Sequence, residues 1–360
     1  MTRPPIRYTP DVETPKPGED ETIAGLNDAF DTILERTAGD GDRAVRAVHA
    51  KAHGVLAGVL EVDGGLPAEL AQGVFATPGR HDVLMRLSTN AGDILPDVIS
   101  LPRGLAIKVL DVAGERLPGA EGTTQDFILN NGTVFQAKDA DAFLSNLKLL
   151  AKTTDRLEGT KKVLSAVLRG VHHALDAVGT QSPAVDTLGG APNVDPLGET
   201  YHSITPFRWG DHIAKFRVVP IAPALRELSG RIVDAHGREN AIREDVRTEM
   251  QRIDAQWAFE VQLCRDLDRQ PIEDPTVVWD EAEAPFQRVG TITAHAQDSW
   301  DDARVQQVDE EMRFSVWTGL AAHRPLGNIN RARNATYRHS ADFRARVNGC
   351  PYREPASQPG

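Results

Sequence analysis

Hydrophobic and polar positions follow two different periods along this chain. Ile23, Leu26, Phe30, Ile33 and Leu34 recur three and four residues apart, which predicts a helix ending at the breaker Gly39-Asp40-Gly41. From 46 to 130 the pattern changes to short strand-like runs punctuated by Gly, Pro and Asn, clearest at 54–62, 82–89 and 104–112. Phe143, Leu147 and Leu150 at i, i+4 and i+7 predict another helix, and Val163, Val167 and Val171 a further one. The strictest alternation lies at 257–264, where Trp257, Phe259, Val261 and Leu263 face one way and Ala258, Glu260, Gln262 and Cys264 the other. Strands at 213–219 and 286–294 and helical patterns around 299–313 and 339–347 complete the chain. Residues 1–20 carry five prolines and predict an extended arm, while 179–200, with four glycines and three prolines, predicts a long loop. The sum is an arm at 1–20 and a single α+β domain at 21–360, built on an antiparallel sheet or barrel.

Composition narrows the class. With 360 residues, 40% hydrophobic and 26% charged, the chain has ample material for a buried core. A net charge of −12 argues against nucleic acid as a partner, because a basic face is needed to displace phosphate counterions. Two cysteines, Cys264 and Cys350, make no disulfide framework and no C-x-x-C pair. The first residues lack an apolar signal-like core and no stretch is long enough for a membrane span, so the expected location is the cytoplasm.

Among candidate chemistries, His49 and His53 stand at i, i+4, but Ala50 occupies the place of the glutamate in H-E-x-x-H, and Gly54 follows at once. His172-His173 falls in a helical pattern, where adjacent residues are expected to point in different directions. Glycine-rich nucleotide cradles and a G-x-S-x-G elbow are absent. Acidic pairs such as Glu281 with Glu283 and Asp301-Asp302 read as solvated faces in so acidic a protein.

Four separated segments carry more. They are Arg46-Ala47-Val48-His49-Ala50-Lys51; Met85-Arg86-Leu87-Ser88-Thr89 with Pro102-Arg103-Gly104-Leu105-Ala106-Ile107-Lys108; Asn130-Asn131-Gly132-Thr133-Val134-Phe135 with Asp139 and Phe143; and Arg333-Asn334-Ala335-Thr336-Tyr337-Arg338-His339-Ser340 with Arg344. Alone, Tyr337 is a packed helix aromatic, Asn130-Asn131-Gly132 a turn and Phe143 part of a core stripe. In this order and spacing they resemble the haem catalase family and its smaller catalase-related relatives. Ala335 and His339 depart from it, standing where catalases have Phe and Asp. The 23 residues after Tyr337 leave no room for the family's C-terminal helical domain.

The resemblance implies a catalase-like antiparallel β-barrel with a wrapping segment and helices, binding ferric haem b. It makes Tyr337 the axial iron ligand as a phenolate, the ligation of catalases, supported by Arg333 one helical turn away. Arg46, Arg86 and Arg344 would meet the haem propionates. His49 would be the general base and then acid, with Ser88 fixing its tautomer, Asn130 (or Asn131, one residue on) orienting the peroxide, and Phe143 at the pocket wall. The implied activity is a catalase-like peroxidase that cleaves hydrogen peroxide or organic hydroperoxides through a ferryl intermediate, with a small reductant as second substrate. An open haem predicts donor oxidation over oxygen evolution. Val48, the residue type of true catalases, weighs against the alternative of a hydroperoxide isomerase like the allene oxide synthases. The presence of His49 and Asn130 weighs against a non-catalytic haem-binding protein. A homo-oligomer, dimer or tetramer, is also implied.

Overall fold

The computed structural model describes residues 3–41, 43–154, 191–355 and 357–358. Nine strands are found among the described residues: β1 Ala52–Val62, β2 Gly79–Thr89, β3 Arg103–Val109, β4 Gln125–Asn130, β5 Tyr201–His202, β6 Phe207–Trp209, β7 His212–Pro220, β8 Ala255–Leu263 and β9 Gln287–Ala294. They form one sheet in the order β5-β4-β3-β2-β1-β9-β8-β7-β6, and a further pairing of β5 with β7 closes it. The result is an eight-stranded antiparallel barrel with β6 as an extra strand on β7.

Closure removes the free sheet edges, and the barrel is filled from all sides by aliphatic and aromatic side chains. Phe75, Phe127, Trp209, Phe216 and Phe259 stack as one cluster, with Phe75–Phe259 and Phe127–Phe259 centroids 4.9 and 5.0 Å apart. The indole of Trp209 donates to the Leu70 carbonyl at 3.0 Å, so this buried ring keeps its hydrogen bond.

Six helices accompany the barrel among the described residues: α1 Glu19–Asp40, α2 Ala140–Thr154, α3 Pro223–Arg226, α4 Ala241–Met250, α5 Asp302–Gln306 and α6 Asn328–Asn348. A second core joins α1, α2 and α6 through Leu26, Phe30, Leu34, Leu144, Ile329 and Phe343. The arm is tied down by Ile6 N–H donating to the Cys264 carbonyl at 2.8 Å. Arg331 of α6 gathers Glu13 of the arm at 2.8 Å, Glu19 at 2.7 Å and Glu273 at 2.9 Å.

The structure departs from the sequence expectation in several places. β4, β5 and β6 are strands that periodicity leaves unmarked; β4 is buried on both faces except at Asn130, so it shows no alternation. The helical pattern at 299–313 divides into α5 and a π-turn at Gln307–Glu311. The helix expected at 339–347 begins at Asn328. His49 and His53 do not share a helix, because His53 lies at a register shift in β1. The Val163, Val167 and Val171 run, His172-His173 and residues 179–190 of the loop lie outside the described residues. Its remainder packs against this same chain, with Val194 bridging Ile232 and Asp195 capping the Leu197 N–H at 2.9 Å.

Candidate functional site

Strand register gathers the site. Arg86 and Ser88 of β2 stand opposite Ala106 and Gly104 of β3, which stand opposite Ile128 and Asn130 of β4. Side chains at paired positions share a face, so these six positions form one wall. α6 runs past that wall and bounds a partly open cavity lined by His49, Arg46, Arg86, Ser88, Tyr337 and Arg344.

His49 precedes β1 in a left-handed backbone conformation, φ +55°, that non-glycine residues rarely adopt. Tertiary bonds impose it. The His49 N–H donates to Asn90 O at 3.2 Å, and Arg86 donates through Nη1 to His49 O at 3.0 Å and through Nη2 to Ala50 O at 3.2 Å. Backbone strain of this kind persists only where the surroundings over-determine it, which is commonest at functional sites.

The ring is fixed as firmly. His49 Nδ1 lies 3.0 Å from Ser88 Oγ, and that hydroxyl has the Gly104 carbonyl at 3.5 Å as an acceptor. With its hydrogen directed there, Ser88 Oγ accepts from Nδ1–H, leaving Nε2 an unprotonated base. Withdrawal from water, then the charges of Arg86, Arg333 and Arg46, lower the His49 pKa to about 3, so the imidazole is neutral at pH 7.

Gly104 makes room for this ring. A Cβ there would lie 2.4 Å from His49 Cε1 and 2.5 Å from Nδ1. Gly104→Ala is therefore expected to displace the imidazole and lower any reaction that depends on it by about 10²-fold, the effect of an ångström-scale misplacement. Thermal unfolding alongside the rate checks this: a rate unchanged in a folded variant would show that His49 placement does not matter.

On the opposite side, Arg333 and Tyr337 are four residues apart on α6, one turn along the same face. Arg333 donates to Tyr337 Oη through Nη2 at 2.9 Å and Nε at 3.2 Å, and through Nη1 to Asn330 Oδ1 at 3.2 Å. Tyr337 lines the cavity, and its phenol oxygen accepts from two nitrogens of one guanidinium.

The third group is cationic. Arg46, Arg86 and Arg344 converge on Asp309 in the π-turn. Asp309 Oδ1 accepts from Arg46 Nη1 at 2.6 Å and Arg86 Nε at 2.8 Å, and Arg344 donates to the Asp309 and Met312 carbonyls. Burial would raise the Asp309 pKa, but the Arg86 and Arg46 charges outweigh it and hold the carboxyl below its ordinary value. Three guanidinium groups against one carboxylate leave two positive charges uncompensated. Burial also lowers the Arg344 pKa to about 10, and its Nε is buried with no hydrogen-bond partner.

The remaining expected residues divide. Asn131 is committed to structure: its Oδ1 accepts from the Arg103 N–H at 2.9 Å and its Nδ2 donates to Glu199 at 3.0 Å. The Asn130 side chain has no such partner among the described residues; it stands on the β2–β4 wall but is not among the residues that line the cavity. Phe143 does not line the cavity; its ring packs on Phe135, centroids 5.2 Å apart, in the α1–α2–α6 core. Phe30, Arg313 and Phe314 line the cavity without having been expected to. Phe30 belongs to an apolar stripe that gives no hint of a ligand. Asp309 sits in an Asp309-Glu310-Glu311 run indistinguishable in sequence from a solvated face.

No protein-family model matches this sequence, and no curated protein matches it. Solved structures do. The fold is similar to that of a fungal catalase, with a TM-score of 0.60 and 17% identity over 91% of this chain and 67% of that one. It is similar to catalase A from Saccharomyces cerevisiae, with a TM-score of 0.58 and 18% identity over 91% and 67%. A bacterial catalase matches with a TM-score of 0.57 and 16% identity over 98% and 67%. The chain has a catalase-like fold.

Proposed function

We propose that this chain is a haem-dependent, catalase-like peroxidase that cleaves hydrogen peroxide or an organic hydroperoxide. The observation that carries the reading is one cavity holding a tyrosine oxygen backed by two arginine donors, together with a neutral histidine whose Nε2 is a base.

The residues fit the cofactor. The two uncompensated charges of the arginine group match the two carboxylates of protoporphyrin, and Arg344 Nε is a buried donor still to be satisfied. Tyr337 Oη would hold the iron. Ferric haem, when bound, supplies the redox chemistry that no side chain here provides.

The chain's own residues do the positioning and move the proton. His49 Nε2 takes the proton of the hydroperoxide and returns it to the departing oxygen, with Ser88 keeping that nitrogen deprotonated beforehand. Asn130 offers its amide N–H to the substrate. Arg333 disperses negative charge on Tyr337 Oη. Val48 lines the cavity beside His49 and cannot hydrogen-bond the ring, which favours cleavage over isomerisation.

Titrating the purified chain with ferric protoporphyrin IX tests the reading. Uptake of about one equivalent, with a high-spin ferric spectrum of oxygen ligation, is expected. A chain that takes up none removes the proposal.

A further inference from the structure

The arginine group is held by more than its neighbours in the barrel. The segment from Val308 to Met312 supplies it with a carboxylate and three carbonyls. Arg46 Nη2 donates to Val308 O at 3.0 Å and Met312 O at 3.3 Å, while its Nη1 is on Asp309. Arg344 Nη2 donates to Met312 O at 3.2 Å and Nη1 to Asp309 O. Arg86 spends Nε on Asp309 and its other two nitrogens on the backbone of His49 and Ala50. Most of the nitrogens a bound carboxylate would need are thus already engaged, several of them by this segment, while Arg344 Nε is buried and unpartnered. Asp309 is the one acceptor among them with a full negative charge. It sits in a π-turn, an irregularity that recurs at functional positions in helices. Val308 and Met312 anchor the turn on Val55 and Leu84, so the segment is seated rather than loosely draped.

Resting on the haem reading above, we infer that Asp309 is an internal competitor for the cofactor's carboxylates. It keeps three like charges assembled next to the His49 backbone, and its carboxylate repels, and contends for the same guanidinium groups with, any external carboxylate that enters. Asp309 thereby sets how strongly the site selects a dicarboxylate porphyrin over an uncharged one. Nothing in the family resemblance assigns this residue, whose sequence context reads as surface.

The experiment is a pair of spectroscopic titrations of the full chain, with ferric protoporphyrin IX and with its dimethyl ester, on wild type and Asp309→Asn. The variant is expected to bind the diacid about tenfold or more tightly than wild type does, and the ester within about threefold, since only the diacid competes with Asp309. Without porphyrin the variant is expected to melt lower, having lost the counter-charge of its arginine group. Diacid affinity unchanged or weakened would overturn the inference, and so would equal tightening of both porphyrins, which would make the effect steric. If wild type binds neither porphyrin, the haem reading itself fails, and that outcome is visible before any variant is compared. Should Asp309→Asn not fold, the comparison moves to an Arg46→Gln background, where the excess charge is relieved. There Arg46→Gln/Asp309→Asn is expected to bind the diacid more tightly than Arg46→Gln alone, and the reverse order would overturn the inference.

Discussion

Replacing His49 by alanine is expected to lower peroxide cleavage by about 10²–10⁴-fold, the range of a positioned general acid–base, while porphyrin uptake stays close to wild type. The separation follows from geometry. His49 precedes β1 and its ring is held by Ser88 of β2, whereas the tyrosine–arginine couple belongs to α6 and the two share no hydrogen bond. His49 also has the positive φ that an alanine tolerates poorly, so Asn, which adopts that conformation more readily, is the control. His49→Asn keeps the backbone and removes the base, and the same loss of rate is expected. Stopped-flow peroxide consumption beside porphyrin titration reads both quantities. A His49→Asn chain that retains the wild-type rate would take the proton transfer away from this residue.

The pH profile sharpens the same point. A histidine lowered to about 3 from its ordinary 6.5 stays neutral as pH falls, so the base remains competent. The rate of cleavage is therefore expected to stay level between about pH 8 and 5, the interval in which an unperturbed histidine would gain its proton. An acid limb centred near 6.5 would show that His49 titrates as though exposed, and that the Arg86, Arg333 and Arg46 charges do not reach it.

How far sequence reaches this site depends on what each residue touches. β8 announces itself by alternation of side-chain type, large apolar residues against small or polar ones, although Ala258 and Gln262 of the second set are buried as well. β4 is nearly all buried, facing the barrel core on one side and the cavity on the other, and β5 is only two residues long, so neither leaves a periodic trace. α6 was legible only in its second half, because its first turns bury polar residues: Asn328 and Asn330 are both buried and both hydrogen-bonded, and no apolar stripe marks them. In the site, the residues of the four motifs were visible through their joint order, and most of them do converge on the cavity. Phe143 did not converge, because its spacing to Leu147 is equally that of a helix packing on α1. Asp309 and Gly104 had no chemical signal of their own. The first acts by cancelling charge on residues more than 200 positions away in the chain, and the second by having no side chain where His49 needs the space.

Tyr337→Phe carries the second large effect. Removing the phenol oxygen leaves Arg333 with Asn330 Oδ1 at 3.2 Å as its remaining acceptor and, on the proposed haem reading, takes away the oxygen that would hold the iron. Porphyrin retention is expected to fall by more than the roughly 10–100-fold that loss of an outer-shell partner produces, and the oxygen-ligated spectrum should disappear. Arg333→Gln keeps the tyrosine but strips both donors from its oxygen, so its effect should fall inside that 10–100-fold range. The two effects are not independent if Arg333 works through the phenol. The double variant should then bind porphyrin no more weakly than Tyr337→Phe alone, because Arg333 then has no phenol oxygen left to support. Additive losses would separate the two residues and make Arg333 a contributor of charge to the cavity at large. An unchanged spectrum in Tyr337→Phe would move the iron ligand elsewhere, and with it the reason for reading α6 as the side of the cavity that holds the metal.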